Sequence, residues 1–301
     1  MATLRQLAAT LSESEKGLYT AGLEEFDRLR IRLSPGQLIV VGGRPGMGKT
    51  PFLLFLYKQL WQKNNLPQMF ISTEEGETLL YKKLAAAMSG IPVEELREKA
   101  VEVIANHLDL LGSTRCSIVE GSRIWERLKE QIVATAQAGT RIVIIDKLQT
   151  LYAEFPCSNR DQEIAAITGE MKQLAVDHQL LMIVSSSLSR SAERRYGRTP
   201  LLSDLRESGM IEENADTVLL VHRPEYFGIT EDMEGHSMKD FMEVQVAKNR
   251  HGRTGTMKFT FRKKIPAITV FEEYENSHYN FDRKQKTDLW PPIIPSPGRK
   301  V

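Results

Sequence analysis

The sequence predicts an α/β domain in which helices flank a mostly parallel β-sheet and antiparallel strands are added at one edge. Strand-length apolar runs alternate with helix-length segments along much of the chain, as in βαβ units. Residues 143–145 are apolar at successive positions, as expected for a strand covered on both faces. The strand-like runs of this part are 38–41, 68–72, 141–146, 181–185 and 217–221.

The pattern changes after about residue 240. The runs 242–246 and 257–261 alternate between apolar and polar residues, and a further run follows at 268–271. Segment 249–255, between the first two runs, is rich in turn-forming residues. These features predict antiparallel strands at one edge of the sheet.

Length and composition exclude several classes of protein. The 301 residues are 41% hydrophobic and 26% charged, which is ordinary for a globular protein with one large core. The net charge of +1 excludes a globally basic surface, so any nucleic-acid-binding surface must be local. Cys116 and Cys157 lack zinc-ligand spacing, and no signal peptide or membrane span is evident. We therefore expect a cytoplasmic protein without a membrane partner.

Three parts can be distinguished along the chain. Residues 1–20 have roughly helical apolar spacing and predict an arm or linker helix. Residues 21–278 contain all the strand-like runs and predict the main domain. Residues 279–301 are charged and then proline-rich, which is typical of a disordered tail or a partner-binding strap.

The most informative motif follows the first predicted strand and precedes an apolar helical pattern. Its spacing, G-x-x-x-x-G-K-T, forms a loop whose backbone amides wrap a nucleotide phosphate. Lys49 would contact the β- and γ-phosphates, and the hydroxyl of Thr50 would bind Mg²⁺. The loop therefore predicts binding of a nucleoside triphosphate with Mg²⁺. Its residues are Gly43, Arg44, Pro45, Gly46, Met47, Gly48, Lys49 and Thr50.

Carboxylates follow two other predicted strands. Asp146 ends the run 141–146, a position from which its carboxylate would reach a metal ion beside the loop. Glu74 and Glu75 follow the run 68–72, where a carboxylate would act as general base toward an attacking water. The residues alone do not choose between these two glutamates, or between a base and a solvated acidic turn.

Five ordered motifs within about residues 20–275 resemble the motor domain of DnaB-type replicative helicases, superfamily 4 proteins with a RecA-like P-loop NTPase core. The most specific is Ser-Asp-Leu-Arg-Glu-Ser-Gly at 203–209. The others are the loop at 44–50, Ile-Ser-Thr-Glu at 71–74, Ile-Asp-Lys-Leu-Gln at 145–149 and Lys-Asn-Arg at 248–250. Only about twenty residues precede the start of the resemblance, so we expect a motor without the family's N-terminal collar domain.

The resemblance implies functions for several residues. It favours Glu74 over Glu75 as the catalytic glutamate, alongside Lys49 and Asp146. It implies an ATP-hydrolysing, hexameric ring in which Lys248 and Arg250 act in trans on a neighbour's γ-phosphate. It also implies that the loop carrying the motif at 203–209 lines the channel of the ring and binds the backbone of single-stranded DNA. The DNA-binding candidates are Arg206, Glu207 and Gly209. The candidate metal ligands are Thr50 and Asp146, and the implied cofactors are ATP and Mg²⁺.

Two departures from the family pattern bear on function. Ser187 stands where the family has a glutamine that senses the γ-phosphate, and serine is too short to span the same distance. Lys147 replaces a tyrosine after the metal aspartate, which adds a positive charge at the sheet's edge. The first departure keeps an alternative open, an ATP- and DNA-binding adaptor without processive unwinding. A recombinase or clock-type ATPase of the same fold is disfavoured by the motif at 203–209.

Overall fold

One β-sheet organises the protein, whose computed structural model describes residues 18–96, 103, 110, 113–195, 198–205, 209–232 and 234–271. The tail expected over 279–301, and the expected arm up to residue 17, lie outside these residues. The strands are β1 (Leu38–Gly43), β2 (Gln68–Ser72), β3 (Cys116–Glu120), β4 (Ile142–Asp146), β5 (Leu181–Ser187), β6 (Thr217–His222), β7 (Phe241–Asn249), β8 (Gly255–Arg262) and β9 (Ala267–Val270).

The strands are arranged in the order β3-β2-β4-β5-β1-β6-β7-β8-β9. The first six strands in this order pair in parallel, and β6 to β9 pair antiparallel. The predicted fold class is therefore confirmed, including the antiparallel strands at one edge. The sequence pattern did not predict β3, which lies at the opposite edge of the sheet.

Helices cover both faces of the sheet. Residue 51 lies in the first turn of the helix that begins at Lys49, where a proline costs no helical hydrogen bond. The helices of the described residues are α1 (Glu24–Arg28), α2 (Lys49–Asn64), α3 (Glu77–Ser89), α4 (Trp125–Gln137), α5 (Arg160–Asp177) and α6 (Gly209–Asn214). Among these residues, none of the helices combines the length and apolarity that a membrane span requires.

The period-two alternation of the strands divides the core into two layers. Ile39 of β1 packs in one layer with α2 and α3, where Phe52 is fully buried against Phe259. Val40 of β1 packs in the other layer, which contains residues of α4 and α5 such as Trp125. Full burial of one such apolar side chain contributes about 1.5–3 kcal/mol. The β1 backbone is thereby held rigidly between two packed layers.

The strand register brings the functional segments to one edge. Gly43 pairs with Ser187 across β1 and β5, and Ser72 pairs with Asp146 across β2 and β4. Because these four strands are parallel neighbours, their carboxyl ends meet at the same edge. In open α/β sheets, this edge is where ligands bind.

Candidate nucleotide site

The glycine-rich loop lies between the end of β1 and the start of α2, as its sequence context predicts. Gly46 and Gly48 have φ angles of 80° and 91°, in the left-handed region that favours glycine. A Cβ at Gly46 would lie 2.5 Å from the ring of Tyr226, and one at Gly48 would lie 2.7 Å from the side chain of Met242. The backbone can thus fold tightly here, with the amides of the first turn of α2 available to an anion.

Lys49 is folded back over this loop. Its ammonium donates to the carbonyls of Gly43 at 2.8 Å and Arg44 at 3.3 Å. Burial lowers the pKa of Lys49 to about 8, an effect opposed by the negative charges of Asp146 and Glu74. A partly buried ammonium whose hydrogen bonds go to neutral carbonyls is well suited to bind phosphate oxygens.

Thr50 and Asp146 are brought together as the sequence predicts. The Thr50 hydroxyl donates to Oδ2 of Asp146 at 2.6 Å, and the Ser185 hydroxyl donates to Oδ1. Asp146 is only 3% exposed, so these partners determine its orientation. Hydroxyl and carboxylate oxygens are ligands that Mg²⁺ prefers, so the donor set fits this ion. Ser185 was not among the predicted site residues.

The two glutamates after β2 have different partners. Glu75 pairs with Lys83 of α3 at 2.6 Å, which holds it against that helix. Glu74 is half exposed, and its carboxylate pairs with Lys147 at 2.8 Å. Only Glu74 therefore faces a residue that adjoins the candidate metal ligand Asp146.

Gln149 supplies a side-chain amide beside Ser187, the position at which the family pattern has a glutamine. Its Oε1 accepts from the backbone N–H of Ser187 at 2.7 Å, and its Nε2 donates to the Ser186 hydroxyl at 2.9 Å. Gln149 lies within one of the five motifs, at 145–149, but no function was predicted for it. Its position in the turn after the metal aspartate was the available signal.

Arg44 connects the loop with the segment that follows β5. Its guanidinium donates to Glu193 at 2.7 Å and to the carbonyl of Leu188 at 2.8 Å. A pairing with an acidic residue 149 positions away could not be read from the sequence.

Asp204 organises this same segment. Its backbone carbonyl accepts from Ser189 N–H at 2.7 Å, and its carboxylate accepts from Arg195 and the Ser191 hydroxyl, each at 2.7 Å. Arg195 belongs to the arginine-rich segment 190–198, and it pairs with the Asp204 carboxylate, which is 1% exposed.

Lys248 and Arg250 lie far from Lys49 of the same chain. Arg250 contacts Asp216, whose carboxylate accepts from the backbone N–H of Leu38, at the start of β1. Lys49 follows the other end of this six-residue strand, a span of about 20 Å. The geometry therefore separates these two cations from the chain's own nucleotide loop.

The predicted DNA-contact residues are described only in part. Arg206 and Glu207 lie outside the described residues. Gly209 is the first residue of α6. α6 packs on α5 through the second core layer, in which Ile211 is fully buried.

Together, the loop at the end of β1, the aspartate at the end of β4 and the parallel sheet define a P-loop nucleotide-binding protein. Residues 17–272 match the family of the DnaB-like helicase C terminal domain. The chain belongs to this family, and the resemblance inferred from the five motifs is confirmed.

Individual relatives agree with this assignment. The chain is 32% identical over 254 residues to the replicative DNA helicase DnaB of Leifsonia xyli, covering 80% of this chain and 53% of the relative. It is 30% identical over 280 residues to the DnaB of Geobacillus stearothermophilus, covering 88% and 58%. The chain thus spans little more than half the length of these curated relatives.

Solved structures show the same fold. One of them, an ATPase domain solved by itself, superposes with a TM-score of 0.77 at 26% identity, covering 90% of this chain and all of that domain. A DnaB-like replicative helicase, studied for its interactions with primase, gives 0.76 at 26% identity, covering 90% and 69%. The match with the isolated ATPase domain identifies this chain with the motor part of the family.

Proposed function

We propose that this protein is an ATP-driven, ring-forming translocase that moves along single-stranded DNA as a replicative helicase in the cytoplasm. The observation that carries the proposal is the contact between Thr50 and Asp146 at 2.6 Å, directly beside the glycine-rich loop. It joins a phosphate-binding loop with a metal-binding carboxylate on an adjacent part of the sheet. Family membership supports the choice of a helicase among P-loop proteins.

The residues divide the proposed hydrolysis among them. The amides of 43–50 and Lys49 bind and orient the β- and γ-phosphates, while Thr50 and Asp146 hold Mg²⁺. The metal ion, when bound, neutralises charge that develops on the phosphate oxygens. Glu74 accepts the proton of the attacking water as general base. Its position after β2, the neighbour of β4, supports this function.

We also propose that Lys248 and Arg250 complete the site of a neighbouring subunit in a hexameric ring. Positive charge from these side chains would stabilise the charge that builds up on the transferred phosphoryl group. Their location at the end of β1 opposite to Lys49 supports action in trans rather than in cis. The assembly would then be required for turnover.

DNA binding is proposed for the segment before α6. Arg206 would pair with a phosphate, and Gly209 would let backbone amides approach the strand. Glu207 belongs to the same segment. Contacts of this kind would be independent of base sequence and weakened by salt.

An ATPase assay of the full chain, with and without single-stranded DNA, tests the proposal. We expect hydrolysis that DNA stimulates and that Lys49→Ala abolishes. Glu74→Gln should reduce kcat by about 10²- to 10⁴-fold, whereas Glu75→Gln serves as the matched control and should retain kcat. Absence of turnover above the Lys49→Ala background, under conditions that permit oligomers, would contradict the proposal.

Strand displacement separates the helicase from the adaptor alternative. An adaptor would bind ATP and DNA without displacing an annealed strand. The adaptor was suggested by Ser187, but the site has Lys49, Thr50, Glu74 and Asp146 in place around the loop. We therefore favour the helicase and expect ATP-dependent displacement of a labelled strand.

A further inference from the structure

Lys147 and Glu74 form an ion pair between two neighbouring strand ends. The Lys147 ammonium lies 2.8 Å from Oε1 of Glu74. The register explains the pairing, because Ser72 of β2 lies opposite Asp146 of β4. Both strands end there, at the edge of the sheet that carries the nucleotide loop. The pair therefore lies at the edge where the γ-phosphate and the attacking water are proposed to meet.

The backbone of Lys147 is fixed to this strand junction. Its N–H donates to the Thr73 hydroxyl at 3.0 Å, and its carbonyl accepts from Thr73 at 3.2 Å and from Thr150 at 2.7 Å. These bonds involve only main-chain atoms of residue 147. A substitution there can therefore remove the ammonium while the backbone path keeps its partners.

The two partners differ in exposure. The Lys147 side chain is 22% exposed, whereas that of Glu74 is 50% exposed. Lys147 is thus the anchored partner and Glu74 the more accessible one. If Glu74 moved away, a largely covered ammonium would lose its anionic partner, which costs free energy. The pair consequently opposes any movement of Glu74 toward a water molecule.

The neighbouring pair of Glu75 and Lys83 provides an internal comparison. Its distance is 2.6 Å, and Lys83 is 21% exposed, close to the 22% of Lys147. Glu75 is 28% exposed, against 50% for Glu74. The pair links the same turn to α3 instead of to the residue that follows Asp146. Removing Lys83 therefore removes an ion pair of the same kind from the adjacent glutamate, without touching Glu74.

We propose that Lys147 is a positioning residue that restrains Glu74 and thereby slows ATP hydrolysis. This inference rests on the proposed function of Glu74 as general base. The Glu74 carboxylate that accepts from the Lys147 ammonium is turned toward Lys147 instead of toward water. Exchange of Lys147 for a neutral residue frees Glu74 and increases the rate of the chemical step.

Steady-state ATP hydrolysis by the full chain at saturating MgATP tests this proposal. The variants are Lys147→Gln, Lys147→Tyr and Lys147→Arg, each in the wild-type and Glu74→Gln backgrounds. An exposed-to-partly-buried ion pair is worth up to about 1 kcal/mol, or about fivefold in rate. We expect kcat to rise about two- to fivefold in the neutral variants and to stay at the wild-type level in Lys147→Arg.

Three further readouts make the result specific. In the Glu74→Gln background, measured by single turnover, Lys147→Gln should have no additional effect. Lys83→Gln should leave kcat unchanged. The effect should appear in kcat and not as a lower KM, which separates release of the base from tighter nucleotide binding. Urea midpoints of both neutral variants confirm that they are folded.

An unchanged or reduced kcat in the folded neutral variants would overturn the proposal, and a reduction would indicate that Lys147 instead stabilises the transferred phosphoryl group. An equal increase in the Glu74→Gln background would also overturn it. Failure of the proposed function looks different, because the wild-type chain would then show no turnover above Lys49→Ala.

Discussion

The guanidinium of Arg250 donates a hydrogen bond to the backbone carbonyl of Glu213 at 2.7 Å. Lys248 donates in the same way to the carbonyl of Glu212. Both acceptors lie in the last turn of α6, whose carbonyls lack intrahelical partners. Cations at this end also interact favourably with the helix dipole. The two proposed trans-acting cations are therefore held on the helix that begins at Gly209, in the proposed DNA-contact segment.

The first prediction concerns Arg250 as a residue that acts on a neighbour's nucleotide. Arg250→Ala should reduce kcat by about 10³-fold or more, with ATP binding retained. Mixing it with Lys49→Ala subunits should restore part of the activity, because mixed rings place an intact Arg250 beside an intact Lys49. ATPase titrations across mixing ratios measure this. Arg253→Ala, in the same hairpin loop, is the control, and no recovery at any ratio would exclude action in trans.

The second prediction follows from the pKa of Lys49, which burial lowers to about 8. Above this pH the side chain becomes neutral, and phosphate binding must then be accompanied by proton uptake. The affinity for ADP in EDTA, without a metal contribution, should fall about tenfold between pH 7 and pH 9. Calorimetric titrations at several pH values measure it. Lys49→Arg remains charged throughout, so its affinity for ADP should not change with pH. A wild-type affinity that is equally independent of pH would refute the prediction.

A third prediction concerns the contact between the nucleotide loop and the segment after β5. Arg44 pairs with Glu193 of this segment, and the Ser191 hydroxyl of the same segment donates a hydrogen bond to Asp204. Glu193→Gln should keep basal ATPase within about twofold but reduce its stimulation by single-stranded DNA about fivefold, the lower end of typical coupling energies. ATPase rates across a DNA titration measure both. Glu154→Gln, at an exposed surface position, is the control, and full stimulation in Glu193→Gln would disprove this coupling.

Most of the fold was predictable because buried parallel strands leave a local signal. The run 68–72 matches β2 without a shift, and the other seven predicted runs overlap observed strands. β3 was missed because only one face of this edge strand is covered by the core. Its burial alternates, with Cys116 and Ile118 inward, and five residues of this kind resemble a loop.

The site was predictable to the extent that its residues adjoin strand ends. Thr50 and Asp146 met because the parallel register forces both segments to one edge. The partners of these residues were not predictable, since contacts such as Lys147 with Glu74 join side chains 73 positions apart. Sequence spacing specifies backbone placement, whereas such pairings depend on how long side chains pack in the folded protein.

The fourth prediction concerns Asp204 as a structural carboxylate. Burial alone would raise its pKa, but hydrogen bonds from Arg195, Leu201 N–H and Ser191 outweigh burial and lower the pKa below its usual value. Asp204→Asn leaves Arg195 without its anionic partner and should reduce the free energy of unfolding at pH 7 by about 2–3 kcal/mol. Urea unfolding measures the change. Asp177→Asn, at an exposed helix end, should change it by less than about 0.5 kcal/mol.

The pH dependence of this difference distinguishes an ionic from a purely steric effect. Because the pKa of Asp204 is lower in the folded than in the unfolded chain, its contribution to stability is full above the unfolded value of about 3.9. It is lost as the pH falls through the folded value, where the carboxylate becomes protonated. The gap between wild type and Asp204→Asn should therefore shrink when unfolding is repeated below pH 4. A gap that stayed constant would mean that the asparagine disturbs packing and that the charge of Asp204 does not stabilise the segment.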